Sequence, residues 1–168
     1  AILTLADGPT LSGKLLHRLF EDYFTGDEWL GRNETQTEQW FAKRFESLID
    51  EEGLMLRLPG RQAELAVLRD KARIALKEMV LQLRCAKVVS VESELEVKGR
   101  YCGGDISGYA DMMLHNDAGE SSVVDLKWSN YNNKYGDLLA NNRHVQLALY
   151  SKLLANPPAA LPVAYYIL

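Results

Sequence analysis

The chain has 168 residues, 47% hydrophobic and 25% charged, with a formal net charge of −4. That is the size and composition of one globular domain, large enough to bury a core without covalent staples. It excludes a disulfide scaffold, because the two cysteines, Cys85 and Cys102, are too few and lack metal-ligand spacing; it also excludes a protein that coats nucleic acid through bulk positive charge.

No run approaches the roughly 18 apolar residues of a membrane span. The opening Ala1–Leu5 carries no charged region of a signal peptide. A reducing, cytoplasmic compartment is the resulting expectation. The absence of an initiator Met and an end inside a strand-like run, Val163–Leu168, predict a piece of a longer polypeptide. Charge is uneven along the chain. Residues 17–52 hold four basic against ten acidic residues, whereas residues 127–152 hold Lys127, Lys134, Arg143 and Lys152 against Asp137 alone. An acidic domain with a local basic stretch suits an enzyme that grips a phosphate backbone at one place.

In chain order, residues 11–24 read as a helix capped by Ser12, with Leu15, Leu16, Leu19, Phe20 and Tyr23 as its apolar stripe. Residues 34–50 read as a second helix around Trp40, Phe41, Phe45 and Leu48. Pro59-Gly60 interrupts the chain, and a long helix follows over roughly 61–85, rich in strong helix formers. The pattern then switches to alternation. Val88–Val97 is a strand, Gly99–Gly104 a turn region, Ile106–His115 a second strand, Asn116–Glu120 a tight turn, and Ser122–Trp128 a third strand. A polar loop rich in Asn and Tyr covers residues 129–141, a helix covers about 142–154, Asn156-Pro157-Pro158 stops it, and Val163–Leu168 is a last strand. The order predicts an α/β layered domain, with a helical part over 11–85 and a sheet-bearing part over 86–168 of a single unit spanning 1–168.

The second hairpin carries the chemistry. Paired residues of an antiparallel hairpin have a constant index sum, and a turn centred on Ala118 sets that sum near 236. Asp111 and Asp125 therefore face each other, and Lys127, two residues beyond Asp125, projects from the same face. Two opposed acids repel, and Asp is a poor strand former. Two such positions inside strands point to a cation between them, and paired carboxylates suit Mg²⁺ or Mn²⁺. The apolar neighbours Met112, Met113, Leu114, Val123, Val124 and Leu126 predict a sheet covered on both faces.

The same residues carry a family resemblance. Gly108-Tyr-Ala-Asp111 resembles the Gly-x-x-Asp element of RecB-like nucleases of the PD-(D/E)XK superfamily, and Val123-Val-Asp-Leu-Lys127 is similar to their Asp-x-Lys strand. Gln146-Leu-Ala-Leu-Tyr150 resembles their Gln-x-x-x-Tyr helix, and Gly13-Lys-Leu-Leu-His17 their Gly-x-x-x-His helix. The four occur in family order over residues 13–150. The resemblance implies an αβββαβ core, a central mixed sheet flanked by helices, with an extra helical segment before it. It implies metal ligation of Mg²⁺ or Mn²⁺ by His17, Asp111, Asp125 and the Leu126 carbonyl, a catalytic Lys127, and a site role for Gln146 and Tyr150. It implies cleavage of DNA phosphodiesters at ends or in single-stranded segments, in repair, recombination or CRISPR-related processing, often beside a helicase in the parent protein. Some relatives hold an iron–sulfur cluster on four cysteines; two cysteines cannot complete one within this chain.

Among the accessory residues, Trp128, Tyr131, Lys134 and Arg143 are expected to touch nucleic acid by stacking and phosphate contact, with Tyr150 beside them. Glu92, Glu94 and Glu96 alternate on one strand face, and the plain expectation for all three is a solvated charged face, although Glu94 or Glu96 could add an acid near the metal. His115, next to the hairpin turn, is expected to be solvated. The competing reading for the whole chain is a nuclease fold retained as a non-catalytic DNA-binding or scaffold module.

Overall fold

A computed structural model describes residues 7–101, 103–129, 137, 140, 141, 145–154 and 161–167. Helix α1 runs over Gly8–Phe24, α2 over Glu28–Gly31, α3 over Glu34–Glu52, and α4 over Gln62–Cys85, with a 3₁₀ turn at Leu54–Arg57. Strands β1 (Val88–Tyr101), β2 (Gly104–Asn116) and β3 (Ser121–Lys127) follow, then helix α5 (Val145–Leu153) and strand β4 (Val163–Ile167). None of these helices is long and apolar enough to cross a membrane.

The first helix starts earlier than its sequence pattern predicts. Asp7 caps it, accepting from the Gly8 amide at 2.7 Å, and Pro9 sits in the first turn, where a missing N–H costs nothing. Ser12, the expected cap, is instead inside the helix and 5% exposed. Helix α3 opens with a reciprocal capping box between Asn33 and Gln36. Its acids account for the negative stretch of sequence. Glu34, Glu38 and Glu46 pair with Lys77, Arg73 and Arg69 of α4, as antiparallel neighbours do. The local charge excess is therefore largely answered within the helical layer.

The four-stranded sheet has the order β1-β2-β3-β4, with β4 parallel to β3 and the other pairs antiparallel. The β2–β3 ladder pairs Met112 with Val124 and His115 with Ser121, which is the expected sum of 236. The first hairpin is longer than expected. Strand pairing continues to Tyr101↔Gly104, and the turn contracts onto Gly103, whose φ of +85° suits glycine.

Two cores flank the sheet. The larger joins α1, α3 and α4 to Val88, Met112, Leu114 and Leu126. The smaller gathers Val97, Ala110 and Val123 under Leu147 and Tyr150 of α5. Along β1 and β2 one alternation feeds both: Leu114 and Met112 enter the helical core, while Ala110 and Val97 enter the smaller one. The change falls between the pairs Ser93↔Met112 and Leu95↔Ala110, where Glu94 has φ +52°.

Candidate active site

The ladder between β2 and β3 runs up to Met112↔Val124, and the acids come next. There the Leu126 amide donates to Asp111 Oδ2 at 2.6 Å, so a side chain takes the place of a backbone acceptor. Asp125 is 0% exposed. Its carboxylate contacts the Lys127 ammonium and accepts from Gln146 Nε2 at 2.8 Å. The three residues that the hairpin arithmetic placed on one patch, Asp111, Asp125 and Lys127, are thus linked through the backbone and side chains of β3.

Helix α1 brings His17 to the same point. Its Nε2 lies 3.0 Å from the Leu126 carbonyl, and its Nδ1 lies 3.5 Å from Asp111 Oδ1. A carbonyl only accepts, so this contact puts a proton on Nε2. Nδ1 is then the ring atom that faces Asp111. Gly13 lies against Trp128, but an added Cβ would stand 3.7 Å from the Trp128 Cβ, an ordinary contact, so the packing there does not itself require glycine.

Helix α5 closes the site from the smaller core. Gln146 Nε2 donates both to Asp125 and to the Tyr150 hydroxyl at 2.8 Å, and that hydroxyl donates in turn to the Tyr109 carbonyl. The sequence places Tyr150 among the nucleic-acid contacts; here it is 7% exposed and anchors Gln146 from behind. Burial lifts its pKa above the ordinary tyrosine value, so it stays a donor at neutral pH. Trp128 is half-buried against the helical core, with Lys71 Nζ 4.9 Å from its ring centroid. Tyr131, Lys134 and Arg143, also expected to touch nucleic acid, lie outside the described residues. His115, expected to be solvated, is half-buried and bridges Ser121 Oγ and Glu92 Oε1, each at 2.8 Å, because its strand neighbours present those partners.

Sequence reasoning expected Glu94 on a solvated face and named it, with Glu96, as an acid that could stand near the metal. The structure brings its carboxylate into a cluster with His17 and Asp111 whose ligand atoms all lie within 4.8 Å of one another. The β1–β2 pairs add to 205, as Glu94 and Asp111 do. The turn region read from the sequence, residues 99–104, sets that sum near 203 and would have placed Glu92 opposite Asp111, so it is the longer hairpin of the structure that picks out Glu94.

The electrostatics fit a divalent cation. Burial raises the Asp111 pKa, and the charge of Asp125 raises it further, while His17, the Leu126 amide and Lys127 pull it back. Glu94 and Asp111 cluster with His17, and Asp125, whose charge Asp111 feels, stands against Lys127. A hard dication with oxygen and imidazole donors would balance that negative charge.

A mixed sheet between helices, bearing an Asp-x-Lys strand opposite a second aspartate, defines a nuclease-like α/β domain. A sequence profile of the PD-(D/E)XK nuclease superfamily matches residues 5–168. The chain belongs to that superfamily, whose members are mostly phosphodiester-hydrolysing nucleases that use divalent metals. No curated protein matches the chain.

Proposed function

We propose that the chain is a divalent-metal-dependent deoxyribonuclease of the RecB-like branch, acting on DNA with ends or single-stranded segments. Residues 1–168 form one nuclease domain in this reading, with DNA, and a helicase or other domain of a parent protein, as partners. The observation that carries it is Asp125: a carboxylate enclosed completely, held by Lys127 and Gln146, next to Asp111. Enclosing a charge in this way is costly unless it is paired and put to use.

His17, Asp111, Asp125 and the Leu126 carbonyl would hold Mg²⁺ or Mn²⁺. The bound metal would supply charge stabilisation at the phosphate and a more acidic water. Lys127 orients the attacking water and offsets negative charge growing on the phosphate oxygens. Gln146 fixes the rotamer of Asp125, and Tyr150 fixes Gln146. The Gly13–His17 and Gln146–Tyr150 pairs, in family order around the two acids, support the RecB-like assignment over other branches.

The test is cleavage of linear single-stranded, linear duplex and closed circular DNA in Mg²⁺ or Mn²⁺, with EDTA as control. We expect metal-dependent degradation of linear substrates, spared circles, and loss of at least 10²-fold in rate for Asp125→Asn. Metal-independent DNA binding without cleavage in any divalent ion would instead favour the non-catalytic module. Activity that survives Asp125→Asn would remove the mechanism.

A further inference from the structure

We infer that Glu94 is an additional carboxylate ligand of the metal, set opposite Asp111 and beside His17 in the middle of β1. The inference rests on the metal-dependent reading above and adds a residue to it. Ligand atoms on Glu94, Asp111 and His17 lie within 4.8 Å of one another. A cation with ligands at about 2.1 Å in octahedral array sets neighbouring donors about 3 Å apart and opposite donors about 4.2 Å apart. The cluster is therefore of a size that small side-chain adjustments convert into coordination.

The register supplies the second argument. The pairs on either side, Ser93↔Met112 and Leu95↔Ala110, set Glu94 opposite Asp111. Glu94 has φ +52° there, at the step where the two strands pass from the helical core to the smaller one. The flanking glutamates are used differently. Glu92 is bound to His115, and Glu96 pairs with Lys98 at 2.7 Å. Glu94 makes no hydrogen bond or ion pair among the described residues, and it is exposed.

The decisive experiment is calorimetric titration of Mn²⁺ into metal-free protein, paired with thermal melting of the same samples. Glu94→Gln keeps the shape and removes the charge. It should weaken Mn²⁺ binding about 10-fold or more and leave the melting temperature of the metal-free protein unchanged. Glu94→Gly should weaken binding at least as much and raise that melting temperature, because glycine takes φ +52° freely. Asp111→Asn serves as the reference for the site itself. If Glu94→Gln binds Mn²⁺ as the wild type does while Asp111→Asn does not, the metal site stands and the Glu94 inference is overturned. If the wild-type protein binds no Mn²⁺, both readings fall together.

Discussion

At the scale of the residue, Asp125 sets the terms for its neighbours. It has no access to solvent, so its charge is supported by the Lys127 ammonium on one oxygen and the Gln146 amide on the other. Removing one partner of a buried pair leaves the other charge uncompensated, at a cost of about 3 kcal/mol, more than the pair itself contributes. Lys127→Met should therefore both abolish cleavage and destabilise the metal-free fold by about that amount in urea titrations. Saturating Mn²⁺ should restore part of the loss, because a cation again faces the carboxylate. Gln146→Leu removes a neutral donor, so its penalty should be smaller, about 1–2 kcal/mol, with a reduced cleavage rate. Equal urea midpoints for Lys127→Met and wild type would show that the lysine is not what keeps Asp125 charged.

At the scale of the element, the site depends on how α5 is seated, because that helix carries Gln146 and Tyr150. Its end packs on β1 at Gly99, where an added Cβ would stand 2.4 Å from Leu153 Cδ2. Gly99→Ala should push Leu153 aside, cost about 1 kcal/mol, and slow cleavage by shifting Gln146 away from Asp125. Gly99→Ala combined with Leu153→Ala should recover cleavage relative to Gly99→Ala alone; no coupling in that double-mutant cycle would separate the glycine from the helix. This contact was not legible in the sequence, which read Gly99 as the start of a turn. The catalytic hairpin was legible, because a short turn with Asn116 and Gly119 fixes the register of both strands and one index sum then places Asp111, Asp125 and Lys127. The helix-borne residues His17 and Gln146 were named from motif spacing, but their partners were not, since hydrogen bonds to Leu126 and Asp125 span 109 and 21 residues of chain. Glu94 was named beside Glu96 as an acid that could stand near the metal but was not singled out, because alternation makes it equivalent to Glu92 and Glu96 and only the β1–β2 register, set by the length of the first turn, pairs it with Asp111. The short helix α2 and the 3₁₀ turn at Leu54–Arg57 escaped because four residues show no period.

At the scale of the molecule, β4 is the last element to join the sheet, and one side chain ties it to the helical layer laid down early in the chain. Tyr166, the ladder partner of Leu126, donates its hydroxyl to the Ala75 carbonyl of α4 at 2.8 Å and stands beside the Phe20 ring. Burial, with a further contribution from Glu78, pushes its pKa up to about 12. The phenolate cannot donate to a carbonyl, and it would face that oxygen and the Glu78 charge with little water to screen it. An acid whose folded pKa lies above its unfolded value of about 10 contributes stability that is complete below pH 10 and is lost as pH rises toward 12. Tyr166→Phe should therefore cost about 1 kcal/mol at pH 8, the worth of one buried hydrogen bond. It should also give a shallower decline of stability between pH 10 and 12 than the wild type, the two curves converging at the alkaline end. Urea midpoints measured for both proteins across that range provide the check, and strictly parallel curves would remove the link between β4 and α4. Because Tyr166 and Leu126 are partners in the β3–β4 ladder, the same ionisation should loosen the segment that holds Asp125 and Lys127, so Mn²⁺ affinity should weaken over the same alkaline range in the wild type and less in Tyr166→Phe.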